Sequence, residues 1–296
     1  MFRKNQKRNT KQQIRNKNIW YYMLLKKIIR RNIRSKLQII NEQQQPQPQL
    51  QLQQHQRTRS ELFKPYPNRD VSSINIPANI FQTWHTKNLP PLMHYAVQQV
   101  KIFNPRFTHY LFDDNDCREF IKNNFNPEVL NAYDKLIPGA YKADLWRYCV
   151  LYKMGGIYLD IKYKPINGFK FINLLDKDHF VYDVNNIDIY NAFMICSPGN
   201  EILLNAINKI VENVKNRYYG SSCLDPTGPK LLTKIISDKS YIDLHHKEIN
   251  GNSDYKIIYH NDYPILKSYD GHHQERDKYS IKEHYGILWK NKKIYG

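Results

Sequence analysis

The run GGIYLDIKY, residues 155–163, ends a short apolar stretch on an acid, Asp160, with Lys162 two positions on. Two acids at that spacing can hold a divalent cation against a nucleotide diphosphate, because hard cations favour oxygen ligands. Here the second position carries an amine. A protonated lysine cannot ligate a metal, but it can reach a phosphate oxygen as a point charge. Upstream, Asp144 and Arg147 stand three apart in GAYKADLWRYCVLYKM and share one helix face. They can form a surface ion pair, or an acid that grips sugar hydroxyls beside a fork that binds phosphate. Trp84, after the apolar run NIFQT, can stack on a base or sit in the core. Thr227 and Gly228 lie in DPTGPK, a turn that can offer backbone donors or simply start the next helix. In EHYGILW, His284 precedes Trp289 by five residues.

These groups need elements to position them. NIFQTW and THYLFDD read as strands, LPPLMHYAVQQVKIFNP as a helix stopped at Asn104-Pro105, and DCREFIKNNF as a helix with Asp116 as its N-cap. PEVLNAYDKL and GAYKADLWRYCVLYKM read as further helices, the second ended by Gly155 and Gly156, and GIYLDI as a strand. Strand alternation would put Asp160 and Lys162 on one face. Strand and helix in turn predict an α/β fold with a mainly parallel central sheet, whose ligands bind beyond the carboxyl ends of the strands.

The charge is uneven. Of 45 Lys and Arg, residues 1–40 hold 13 and no acid, so the other 256 residues carry 32 basic against 27 acidic groups. The chain divides into a basic tail (1–40), a Gln/Pro-rich low-complexity linker (41–70) and a folded domain (71–296). The tail reads as a solvated segment or one that lies on an anionic membrane surface. Its apolar patch IWYYMLL is too short to span a bilayer and is not followed by a signal-peptide cleavage site. The expected location is cytoplasmic or peripheral on a membrane. No folded reader of nucleic acid accompanies the charge, so no specific nucleic-acid partner is expected. The four cysteines show no metal spacing and read as free, mostly buried thiols.

In this order, IPANIFQTWHT, PGAYKADLWRYCVLYKMGGIYLDIKY, DPTGP and EHYGILW resemble glycosyltransferase family 32, the group of initiating α-1,6-mannosyltransferases and inositol-phosphoceramide mannosyltransferases. The glucosylating domains of large clostridial toxins share the same central device. The resemblance implies a GT-A-type, Rossmann-like nucleotide-sugar-binding fold and a retaining transfer of a hexosyl unit to a glycan or glycolipid hydroxyl. It implies a UDP- or GDP-sugar as donor and a divalent cation, Mn²⁺ or Mg²⁺, which Lys162 in place of a second acid would leave weakly bound. By the same resemblance Trp84 stacks on the base, with Gln82 and Thr83 beside it. Asp144 and Arg147 clamp the donor sugar. Asp160 is the first acid of a DXD motif and holds the cation with His284. Gly155, Gly156, Lys162, Thr227 and Gly228 line the donor site, and His284 and Trp289 close over the diphosphate. Lys162 replaces the second acid and Leu288 a frequent serine. The rival reading is a degenerate module that binds sugar nucleotide or glycan without turnover.

Overall fold

The computed structural model describes residues 64–67, 74–249 and 252–296, all within one compact unit, Ser60–Gly296. The basic tail and most of the Gln/Pro-rich segment lie outside the described residues. The end of that segment does not behave as a linker. Tyr66 is buried in an apolar cluster, edge-on to Phe169 at 5.0 Å, with its hydroxyl 2.8 Å from His260 Nδ1. Among the described residues no helix is long and apolar enough to cross a membrane.

Strand β1 (Asn79–Thr83) leads to helix α1 (Pro91–Phe103), β2 (Thr108–Phe112), α2 (Asp114–Asn124), α3 (Pro127–Lys135), α4 (Gly139–Met154) and β3 (Gly156–Leu159). The alternation read from the sequence is present. α1 starts on a proline whose missing N–H costs nothing there. α2 begins one turn earlier than expected: Asp113 is the N-cap and Asp116 sits at N3. The two exchange side-chain-to-backbone bonds of 2.9 and 3.1 Å, a reciprocal capping box.

Then come β4 (Tyr163–Pro165), β5 (Phe180–Tyr182), β6 (Phe193–Cys196), α5 (Glu201–Lys215), α6 (Pro229–Ile235), β7 (Ile242–Ile249), β8 (Asn252–His260), β9 (Tyr263–Ser268), α7 (His272–Tyr279) and α8 (Tyr285–Lys290). Two sheets result. The first has the order β2-β1-β3-β6, parallel except for β3 against β6. The second has the order β4-β9-β8-β7-β5 and is antiparallel except for β5 with β7. The mainly parallel expectation thus describes the first sheet. The second lies in a stretch the sequence reading left without strands.

Both faces of the first sheet are covered. Phe81, Tyr158, Met194 and Cys196 face a core that includes Leu145, Trp146 and Cys149 of α4. Ile80, Ile157, Leu159 and Ile195 meet Val181, Leu244, Ile258 and Leu266 of the second sheet. α4 is buried from Leu145 through Leu151 without a break, so it runs through the core rather than over it. The cysteines are free; Cys117, Cys149 and Cys196 are buried and Cys223 partly so.

Candidate functional site

The buried course of α4 decides the status of Asp144 and Arg147. They are 7% and 6% exposed, so they are not a surface pair. Asp144 Oδ1 accepts from Asn191 Nδ2 at 2.9 Å and faces an Arg147 terminal nitrogen at 3.3 Å, while Oδ2 accepts from the Thr227 hydroxyl at 2.7 Å. Burial raises the pKa of Asp144, and Arg147, Thr227 and Asn191 oppose that rise. Arg147 donates to the carbonyls of Ala143 (3.2 Å) and Asn191 (2.8 Å), lies 3.5 Å from Asp160 Oδ1, and sits 4.3 Å from the centre of the Tyr158 ring. Its fork is therefore filled by protein. It ties the two acids together and is not an open phosphate clamp.

Asp160 follows β3, in a turn and not in a strand. The Tyr163 N–H donates to the Asp160 carbonyl at 3.0 Å, closing Asp160–Tyr163 into a four-residue turn. The turn, and not strand alternation, brings Asp160 and Lys162 together. Lys162 Nζ donates to Asp160 Oδ2 at 2.8 Å, and the Tyr158 hydroxyl donates to Oδ1 at 2.7 Å. Burial alone would raise the Asp160 pKa. Lys162 first and Arg147 second outweigh it, and the carboxyl lies below its ordinary value. Burial likewise works against the Lys162 charge, and Asp160 overrides it.

Thr227 and Gly228 join the same group. A Cβ at Gly228 would lie 3.3 Å from Asp144 Oδ2, and Tyr148 donates to the Thr227 carbonyl at 3.0 Å. Trp84 packs with Ile161, the residue between Asp160 and Lys162, and with Met93 and Tyr269; its indole nitrogen is buried without a partner. The parallel pairing of Ile80 with Ile157 sets the carboxyl ends of β1 and β3 side by side, which places Trp84 and the residues after β3 in one neighbourhood.

Other expected donor-binding residues are engaged elsewhere. Gly155 and Gly156 lie at the amino end of β3, opposite Asp160. Gly155 adopts φ 61° and Gly156 φ 121°. An added Cβ would come within 2.5 Å of Pro198 Cδ at the first and 2.7 Å of the Asn79 carbonyl oxygen at the second. They are required for close packing, not for ligand contact. Thr83 donates to the Phe112 carbonyl at 3.0 Å, and Gln82 Oε1 pairs with His109 Nε2 at 2.7 Å inside the sheet. Trp289 donates its indole N–H to the Tyr219 carbonyl at 2.6 Å, so that donor is not free for a diphosphate. His284 is exposed and caps α8, its Nδ1 accepting from the Gly286 N–H at 3.2 Å. Burial lowers its pKa, with Arg276 next in effect. The neighbouring Tyr285 reaches back toward α4, 6.0 Å from Tyr141.

A resident divalent cation finds a poor donor set. The described residues hold no group of three His, Cys, Asp or Glu side chains able to bind a metal. Asp160 has one oxygen on Tyr158 and the other on an ammonium, and His284 offers Nδ1 to a backbone donor. The sequence reading missed Asn191, whose amide bridges Asp144 and the Tyr148 hydroxyl, both at 2.9 Å. No spacing signals it, since it lies 47 positions from Asp144. A surface groove of about 480 Å³ beside β2 and α2, lined by His109, Phe112, Asp116 and Phe120 among others, contains none of these groups.

Residues 90–181 match the family described as the glycosyltransferase sugar-binding region containing DXD motif. Within that range Asp160 is followed two positions on by Lys162, not by a second acid. The chain is 30% identical over 174 residues to inositol phosphoceramide mannosyltransferase 3 of Schizosaccharomyces pombe, covering 58% of this chain and 47% of that protein. It is 43% identical over 89 residues to an uncharacterised glycosyltransferase of Acanthamoeba polyphaga mimivirus, covering 29% and 35%. The chain thus spans less than half the length of these relatives. The solved PaToxG glycosyltransferase is similar over 54% of this chain and 67% of its own, with a TM-score of 0.44 and 19% identity.

Proposed function

We propose that this protein transfers a hexosyl unit from a nucleotide diphosphate sugar to the hydroxyl of a glycan or glycolipid acceptor, with retention at the anomeric carbon. The observation that carries this reading is the buried assembly of Asp144, Arg147, Asn191 and Thr227 joined to Asp160 at the carboxyl ends of parallel strands. Held carboxylates beside a cation at the strand ends suit a polyhydroxylated, anionic ligand. The match of residues 90–181 to a sugar-binding region supports the same assignment.

In the proposed step the bond from the anomeric carbon to the diphosphate oxygen breaks and a bond to the acceptor oxygen forms. The acceptor proton leaves with the released diphosphate. Such a reaction depends on neutralising the charge of the leaving group more than on a strong nucleophile. Asp144, with an acceptor site left beyond its three partners, faces the sugar hydroxyls. Arg147 positions Asp144 and Asp160, and Trp84 supplies a ring for the base. A divalent cation would add positive charge at the diphosphate; because the donor set fits one poorly, no step is assigned to it. The basic tail would hold the protein on an anionic membrane, near a lipid-borne acceptor.

A panel of UDP- and GDP-sugars tests the reading, with donor hydrolysis and product anomer followed by NMR. Consumption of one donor with retained configuration is expected. The 2.8 Å pair between Lys162 and Asp160 favours the second reading, a binding module. Saturable binding of a donor with no turnover on any acceptor would decide for that module and against transfer.

A further inference from the structure

The family signature implies two acids and a metal, whereas this site has one acid and an amine. In charge the two arrangements are equal: two carboxylates with a divalent cation sum to zero, and so do Asp160 and Lys162. Lys162 is held in place for such a role. Nζ is fixed by Asp160 at 2.8 Å and lies 5.3 and 5.5 Å from the ring centres of Tyr163 and Tyr190. One of its three donors is used by Asp160, which leaves two for a ligand.

The surroundings mix acids and amines: Asp183 holds His246 Nδ1 at 2.8 Å, Glu275 accepts from the Tyr269 hydroxyl at 2.9 Å, and Glu248 lies across the strand pair from Lys256. Lys162 and Lys256 flank the end of β9: the Tyr269 N–H donates to the Lys162 carbonyl at 2.9 Å, and the Lys256 N–H donates to Ser268 Oγ at 3.0 Å. Among the described residues no carboxylate forms an ion pair with Lys256. Burial lowers its pKa, and Lys162 is the next cause. His272, 4% exposed and 6.0 Å from the Tyr269 ring, has both ring nitrogens buried without a partner. His246, stacked on Tyr190 at 4.1 Å, donates Nδ1–H to Asp183 at 2.8 Å, so its unpartnered Nε2 is the lone-pair side of the ring and offers no donor to an anion. Lys162, with two donors left over, and Lys256, without an ion pair, make a seat that an anion would complete.

We infer that the cation facing the donor diphosphate in this protein is the Lys162 ammonium, with Lys256 beside it, so that nucleotide diphosphate binding requires no divalent metal. This rests on the transferase reading above. Lys162 contacts the phosphate oxygens as a point charge on a flexible stem, while Asp160 serves as its counter-ion and not as a metal ligand.

Calorimetric titration of UDP and GDP into the full chain tests this, in EDTA and again in Mn²⁺, for the wild type, Lys162→Met and Lys162→Asp. The wild type should bind one of the two in EDTA, with affinity changed less than about threefold by Mn²⁺. Loss of a charge-assisted contact should weaken Lys162→Met about 10- to 100-fold in EDTA. Lys162→Asp, which restores the two-acid spacing, should bind only when Mn²⁺ is present. Wild-type binding that appears only with Mn²⁺ would overturn the inference and leave the transferase reading standing. This arm needs no variant to fold. Absence of UDP and GDP binding in both conditions would overturn the inference together with the nucleotide-sugar reading.

Discussion

Replacing Asp144 by alanine removes a carboxylate that three interior groups address: Thr227 at 2.7 Å, Asn191 at 2.9 Å and Arg147 at 3.3 Å. At 3.3 Å the gross attraction to Arg147 is about 5 kcal/mol for an effective dielectric of about 20, and burying both ions offsets much of it. The cost of deletion is therefore set by the groups left behind. Arg147 keeps Asp160 at 3.5 Å and the Asn191 carbonyl at 2.8 Å, so its charge is weakened in support but not stranded. The Asn191 amide keeps the Tyr148 hydroxyl, and Thr227 loses the acceptor of its hydroxyl. Breaking a buried pair from one side costs about 3–5 kcal/mol, a large part of the roughly 5–15 kcal/mol that holds a domain folded. Asp144→Ala should therefore lose stability as well as turnover. Asp144→Asn separates the two effects. Its carbonyl can serve Asn191 and Arg147, while the Thr227 hydroxyl turns to accept from the new amide. It loses the charge but not the shape, at about 1–3 kcal/mol. Urea unfolding followed by tryptophan fluorescence should rank the wild type, Asp144→Asn and Asp144→Ala in that order. Donor hydrolysis should fall about 100-fold or more in the folded Asp144→Asn variant. An Asp144→Ala midpoint within about 0.5 kcal/mol of the wild type would refute the buried network, since surface changes have that size.

Gly156→Ala, at φ 121° with a Cβ 2.7 Å from the Asn79 carbonyl oxygen, should cost at least about 1–3 kcal/mol in thermal or urea unfolding and leave UDP or GDP affinity unchanged; an affinity loss in the folded variant would return this glycine to the ligand site. Removal of residues 1–59 should leave the unfolding transition intact, whereas removal of residues 1–70 also takes Tyr66 out of its contacts with Phe169 and His260 and should lower it by about 3–5 kcal/mol; equal transitions would show that Tyr66 contributes nothing. Burial depresses the folded pKa of His109 to about 4 and of His272 to about 3, so below pH 6.5 the unfolded chain binds protons that the folded chain refuses. Stability should then fall with pH by up to about 1.4 kcal/mol per unit for each histidine. His272→Leu should flatten the decline of the urea midpoint between pH 6.5 and 5, and an unchanged slope would mean that His272 is not buried neutral.

Local periodicity and punctuation were legible up to Asp160. The helix before the glycine pair, the strands around it and the shared face of Asp144 and Arg147 all follow from spacing within one element. The burial of that pair does not, because α4 is enclosed only once α5, β3 and the C-terminal helix have packed around it. The Asp160–Lys162 juxtaposition was foreseen for the wrong reason: a turn closed by Tyr163, not alternation, produces it. Asp116 seemed the natural cap of α2, yet a helix start with acids at 113, 114 and 116 has several registers, and the reciprocal bond to Asp113 selects one. Strands β7 and β8 went unread because His245, His246, Lys247, Glu248 and Lys256 interrupt their apolar pattern. The polar direction of Trp289 was illegible in principle, since its partner is a backbone carbonyl 70 positions away.

The continuous burial of α4 from Leu145 to Leu151 ties the chemistry of the protein to its slowest motions. Amide protons in such an element should be among the slowest of the domain to exchange with solvent, because large openings are needed to expose them. The groups carried on this helix are thus held by the part of the molecule least able to breathe. Adaptation to a ligand falls instead to the side chains of the Asp160–Tyr163 turn and to the segment around Tyr285, which can shift while the helix stays fixed. Directed change of specificity should accordingly succeed in those loops and fail on α4, where nearly every substitution is felt first as a loss of fold.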